Sequence, residues 1–206
     1  MKRIFVLLLA GVATLLPTPV RADDPPVPRP NLRILQDMMA EIADSVFAIP
    51  GAQPASTVRY AIQPSAHAWY LEHTLRAPAQ GHGLVPTEAA DARYDVRFGV
   101  EEIGVTYANA RRTWVFGEQV MDRTVLLGGT VKIVEQGSGA ILLARSFATA
   151  VHDTVPVVGI ESLESPGIPA THSAPPSAGL FSSLVEPIVL IGSVAVAVYL
   201  LFSVRN

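Results

Sequence analysis

Residues 187–204 run Pro-Ile-Val-Leu-Ile-Gly-Ser-Val-Ala-Val-Ala-Val-Tyr-Leu-Leu-Phe-Ser-Val without a charge. At about 1.5 Å of rise per residue, a helix of that length comes close to the ~30 Å hydrocarbon thickness of a bilayer. Pro187 suits a first helical turn, where its missing N–H costs nothing. Tyr199 and Phe202 fall toward the far interface, and Arg205 just beyond belongs on the cytoplasmic side. Residues 184–204 are therefore expected to form a transmembrane helix, with 205–206 as a short cytoplasmic tail. A buried core helix and a removable sorting tail are the alternatives. Val185-Glu186-Pro187 matches part of a sorting signal, but Arg205 stands alone where such tails carry a basic cluster. Ser193 and Ala197 have the small-xxx-small spacing that supports helix pairing.

The other end is also apolar. Lys2 and Arg3 precede a run from Ile4 to Leu16, Pro17 and Pro19 end it, and Val20-Arg21-Ala22 places a small residue before Asp23 and Asp24. This is the pattern of a secretory signal peptide over residues 1–22, too short to span a membrane comfortably. An uncleaved signal anchor is the alternative. The two ends together predict a single-pass protein of a bacterial inner membrane with its domain in the periplasm. Half of all residues are hydrophobic and 16% are charged, and the apolar excess sits at these ends. A formal net charge of −3 leaves no basic footprint for nucleic acid. Without cysteine, disulfides, thiolate zinc sites and a lipidated N-terminal Cys are excluded.

Between the ends, residues 23–30 hold four prolines and read as an extended leader. Asn31 has the character of an N-cap. Leu32, Leu35, Met39, Ile42 and Val46 then recur at helical spacing over 32–48, with Arg33, Asp37, Glu41 and Asp44 on the other side and Pro50-Gly51 as the stop. Thr57 to Ile62 reads as a strand. Ser65 is expected to cap a second helix that Pro78 ends, with Ala68, Leu71 and Leu75 inward and Glu72 and Arg76 paired outward. After a turn at Gly81-His82-Gly83, Leu84 and Val85 begin another strand.

Tyr94, Val96, Phe98 and Val100 alternate with polar residues, and Ile103, Val105 and Tyr107 alternate in the opposite phase. A strand has a period of two, so Glu101-Glu102 requires a bulge or a turn. Val125–Val134 and Ala140–Phe147, the latter extending toward Val151, form a hairpin across Glu135-Gln136-Gly137-Ser138-Gly139. Residues 162–183, rich in Ser, Pro and Ala, read as a stalk. The expected fold of 31–161 is α+β: a two-layer sandwich of a mixed or antiparallel sheet with two helices on one face.

This order resembles the small α/β domains of bacterial envelope assembly proteins: the N-terminal domain of TolB and the domains of curli-secretion and flagellar or peptidoglycan lipoproteins. It is carried by Val58–Ile62, the helix through Trp69, Leu71 and Leu75, Gly83-Leu84-Val85, and the strands from Tyr94 to Tyr107, about half of the chain. The chain departs from the lipoprotein members in lacking a lipobox Cys. The resemblance implies a binding or scaffolding role and carries over no functional residue.

Chemistry is hard to find. His67 and His73 are six residues apart, off the i,i+4 spacing of helical ligands. His82 and His172 lie in a turn and in the stalk. The neighbours His152 and Asp153 point to opposite faces of a strand, as do Glu101 and Glu102. There is no Gly-x-Ser-x-Gly elbow and no phosphate-binding Gly loop. No catalytic, cofactor or metal residue is therefore assigned.

Two clusters invite interaction. Arg111, Arg112, Trp114 and Phe116 sit in a segment between strands, with residue types enriched at hot spots and near headgroups. Trp69 and Arg76 share the edge of the second helix. The simpler expectation for Trp114 and Phe116 is that they begin the next strand and pack in the core. The leading expectation is an anchored accessory or assembly factor that binds another envelope protein. The rivals are an envelope enzyme using scattered Asp, Glu and His, and a sensor of a small molecule or wall fragment.

Overall fold

The computed structural model describes residues 27–174 except 54, 115 and 116. The expected signal peptide, residues 175–183 of the expected stalk, the transmembrane segment and Phe116 lie outside the described residues. Among those described, no helix is long and apolar enough to cross a membrane.

The fold is α+β around one five-stranded mixed sheet, in the order β2-β1-β3-β4-β5. The strands are β1 (Thr57–Gln63), β2 (Val85–Pro86), β3 (Tyr94–Arg112), β4 (Gln119–Glu135) and β5 (Ala140–Pro156). β1 runs parallel to β2 and β3, while β3, β4 and β5 form an antiparallel meander. α1 (Asn31–Phe47), α2 (Ser65–Leu71) and α3 (Arg76–Gly81) pack with the apolar face of the sheet, and α4 (Ile160–Leu163) closes one end.

The sequence phases account for this layering. Val96, Phe98 and Val100 of β3 are buried, then the register shifts between Val100 and Glu102. Glu101 is the extra, exposed residue, and the shift returns Val105 and Tyr107 to the buried face. Opposite this bulge stand Gly128 and Gly129. The backbone here is so close that a Cβ on Gly129 would lie 1.9 Å from the Gly99 carbonyl oxygen. α1 buries Ile34, Leu35, Met38, Met39, Ala43, Val46 and Phe47, a wider stripe than Leu32, Leu35, Met39, Ile42 and Val46 suggested.

Several expectations need correction. Asn31 does not cap α1; Pro30 holds that position, and the Asn31 side chain is taken up by buried partners described below. Pro64, not Ser65, precedes α2. The second helix is broken: α2 passes through a 3-10 turn at Glu72–Leu75 into α3. Pro78 does not end it, because it falls in the first turn of α3, where a missing N–H is harmless. β4 and β5 are each 17 residues long, well beyond the expected hairpin. Residues 162–174 are not stalk: Leu163, Ile168 and Thr171 are buried against the domain.

Candidate functional site

The first cluster lies at the turn between β3 and β4. Trp114 does not begin a strand or enter the core; its side chain is 74% exposed, and β4 starts only at Gln119. The turn is closed by the Thr113 N–H donating to the Glu118 carbonyl at 3.0 Å. Its base is braced. A second register shift falls between Ala108 and Arg111, and Asn109 adopts a positive φ of 52°. The Arg111 guanidinium donates to Asp122 Oδ1 at 2.6 Å, and the Asn109 amide donates to Oδ2 at 3.1 Å. These bonds hold the Asp122 carboxyl below its ordinary range, the one from Arg111 contributing most. Arg111 is thus engaged in holding the hairpin. Arg112 is the last residue of β3 and is exposed.

The second cluster does not join the first. Trp69 is exposed on α2 with its ring edge-on to Tyr70, centroids 5.1 Å apart. Arg76 begins α3 and lines a cleft with Tyr60 of β1 and with Pro86, Thr87 and Glu88. Burial raises the Tyr60 hydroxyl, with Arg76 opposing. Burial and then the Glu88 carboxylate raise Glu72. The cleft holds about 240 Å³, below the ~300–1,000 Å³ of most small-molecule sites.

The most constrained polar group is one that sequence reasoning missed. Arg123 of β4 is fully buried on the apolar face, in phase with Met121, Val125 and Leu127. Its Nε and Nη2 donate to the two carboxylate oxygens of Asp153 on β5, at 2.8 and 2.5 Å. Its Nη1 donates to the Arg29 carbonyl at 2.8 Å and to Asn31 Oδ1 at 2.7 Å. Asn31 Nδ2 in turn donates to the Tyr107 hydroxyl at 2.9 Å and to the Thr171 carbonyl at 2.8 Å. One buried arginine therefore clasps β4 and β5 to the segment where the chain enters the domain and, through Asn31, to the segment where it leaves. A charged residue standing in the apolar phase of a strand was the available signal. Arg123 lies two residues ahead of Val125, where the expected strand begins.

The histidines are dispersed. His82 contacts Asp44, His152 contacts Thr124, His172 contacts Glu164, and His67 contacts the Tyr70 hydroxyl. Among the described residues, no three His, Cys, Asp or Glu side chains converge as metal ligands.

No protein-family model matches the chain, and no curated protein does. Solved structures do. A minor lipoprotein from Acinetobacter baumannii is 14% identical, over 50% of this chain and 66% of that one, with a TM-score of 0.31. A lipoprotein from Neisseria meningitidis is 13% identical over 68% and 99%, with a TM-score of 0.31. The rare lipoprotein B from Shewanella oneidensis is 10% identical over 70% and 98%, again at 0.31. These neighbours are bacterial lipoproteins.

Proposed function

We propose that the protein is a membrane-anchored scaffold domain on the periplasmic side of a bacterial inner membrane, binding another envelope protein as an accessory or assembly factor. The uncharged C-terminal run and the signal-like N-terminus motivate the placement. The binding role rests on β5. Among the described residues this 17-residue strand is a sheet edge, exposed along its outer face and half-buried along most of its inner one, with Ile141 and Leu142 open to solvent. Proteins blunt such edges with short strands, charges or a covering element. The opposite edge, β2, is two residues long. β5 offers a row of backbone groups that an extended segment of a partner protein would extend by β-augmentation.

The test combines topology with site-specific crosslinking. With a C-terminal tag, the domain is digested by protease in spheroplasts while the tail is protected. A photoreactive group at Ala148 of β5 forms a defined adduct, and one at Glu41 of α1 does not. Protection of the domain defeats the placement. Equal adducts from both positions, or none from Ala148, defeat the binding role. The cleft at Tyr60 and Arg76 supports a second reading, a sensor of a small molecule. Its small volume makes this the weaker of the two.

A further inference from the structure

The clasp brings the two ends of the domain to one pole. Arg29 and Asn31 meet Arg123, and Thr171 meets Asn31, so the chain enters and leaves beside the same point. The β3–β4 hairpin projects from this pole, because Tyr107 pairs with Arg123 and the strands continue to the Arg112–Gln119 pair. β5 ends here as well, where Pro156 pairs with Val120.

The same pole carries the three most exposed large apolar side chains among the described residues: Val158 at 91%, Val27 at 88% and Trp114 at 74%. Val158 lies two residues past Pro156, Val27 two residues before Arg29, and Trp114 in the hairpin turn. They come from three separate stretches of the sequence. Ile141, Leu142 and Val85, also exposed, belong to the opposite end of the sheet.

We propose that this pole rests on the lipid bilayer, with the Trp114 indole at the level of the headgroups and Val27 and Val158 beside it. The proposal rests on the anchored reading above and adds the face that the domain turns to the membrane. An indole pairs an apolar body with one N–H donor, which suits an interface that is apolar on one side and wet on the other.

The lengths agree. From Arg123 to Glu118 the hairpin extends about 17 Å at ~3.4 Å per residue. Residues 175–186, between the described chain and the uncharged run, are twelve in number. Twelve residues can reach at most about 40 Å, at ~3.3–3.6 Å each. That reach is enough for the uncharged run to begin level with the hairpin tip.

Charge does not select the lipid. Arg29 and Arg33 are paired with Asp37, and Arg111 with Asp122. The contact is interfacial and apolar, and it forms on zwitterionic lipid.

The test uses the full chain reconstituted into phosphatidylcholine vesicles, with and without bromine on the acyl chains. Trp69 and Trp114 are the two tryptophans. The Trp69→Phe variant therefore reports on Trp114, and Trp114→Phe reports on Trp69. The expected result is blue-shifted Trp114 emission that falls by half or more in brominated vesicles, while Trp69 emission is unaffected. Co-flotation with vesicles but a water-exposed, unquenched Trp114 overturns the proposal and leaves the anchor intact. Blue-shifted but unquenched emission overturns it in favour of burial against protein. Failure to co-float overturns the anchored reading and this inference with it.

Discussion

Removing the carboxylate that holds Arg123 is the sharpest probe of this fold. Asp153 supplies both oxygens facing the Arg123 Nε and Nη2, and the guanidinium is wholly buried. Breaking a buried ion pair from one side leaves the other charge uncompensated, at a cost of about 3–5 kcal/mol. The Asp153 side chain is 38% exposed, so water reaches the vacated position, and the lower end of that range, about 3 kcal/mol, is expected for Asp153→Ala. A domain of this size loses about 2–4 °C of Tm per kcal/mol, which gives a fall of ~6–12 °C. The double variant Arg123→Met/Asp153→Ala removes the stranded charge. It still leaves the Arg29 carbonyl and the Asn31 amide oxygen without a donor, each costing about 1–3 kcal/mol when buried. Together these come to about 2–6 kcal/mol, so the double variant is expected to lose at least about 2 kcal/mol as well. Urea unfolding of the full chain in mild detergent, followed by circular dichroism, measures both. A loss within about 1 kcal/mol for either variant would refute the clasp.

Two other substitutions test separate parts of the fold. Gly129→Ala places a Cβ 1.9 Å from the Gly99 carbonyl oxygen, a backbone atom fixed by the sheet. A loss at or above the upper end of ~1–3 kcal/mol is expected in the same unfolding assay, and near-neutral behaviour would mean that the strands separate at the bulge. Burial and Glu88 raise the Glu72 carboxyl, so the folded state holds its proton more tightly than the unfolded state. That contribution is present below the unfolded value and is lost as pH rises through the folded one. Glu72→Gln is therefore expected to be more stable than the parent at pH 7, with the difference closing as pH falls through the carboxylate range. A difference that persists in acid would assign it to packing.

Residues whose environment is set by their neighbours in sequence were legible. The phase switch at Glu101-Glu102 required a bulge or a turn, and a bulge stands there, keeping Val100 and Tyr107 on one face of a continuous strand. The hairpin at residues 135–139 and the helix of residues 31–47 followed equally from local pattern. What was not legible depended on distant partners. Asn31 looks like an N-cap to any local rule, yet its side chain serves Arg123, Tyr107 and Thr171, up to 140 residues away. Residues 162–174 look like stalk because Ser and Pro predominate, yet Ile168 and Thr171 find a place beside Tyr107 and Asn31. For the hairpin turn, alternation favoured a buried Trp114. The brace from Asn109 and Arg111 to Asp122 instead ends the sheet at Arg112 and leaves the indole outside.

The clasp also decides how the ends of the domain behave together. β3, β4 and β5 follow one another in sequence and pair as neighbours, so the meander holds its own backbone bonds without help from either terminus. The N-terminal turn of α1 and the segment 160–174 have no such ladder. They meet the sheet through Arg123 and Asn31 and through the apolar residues Ile160, Leu163 and Ile168. In Asp153→Ala the guanidinium loses its fixed counter-charge, and the geometry that points Nη1 at both Arg29 and Asn31 is lost with it. Hydrogen exchange is expected to show residues 31–35 and 165–172 losing protection together, at an opening free energy below that of the central pairs of β3 and β4. If the C-terminal segment opened while the start of α1 kept its protection, Asn31 would be a local contact, and the two chain ends would be held to the domain independently.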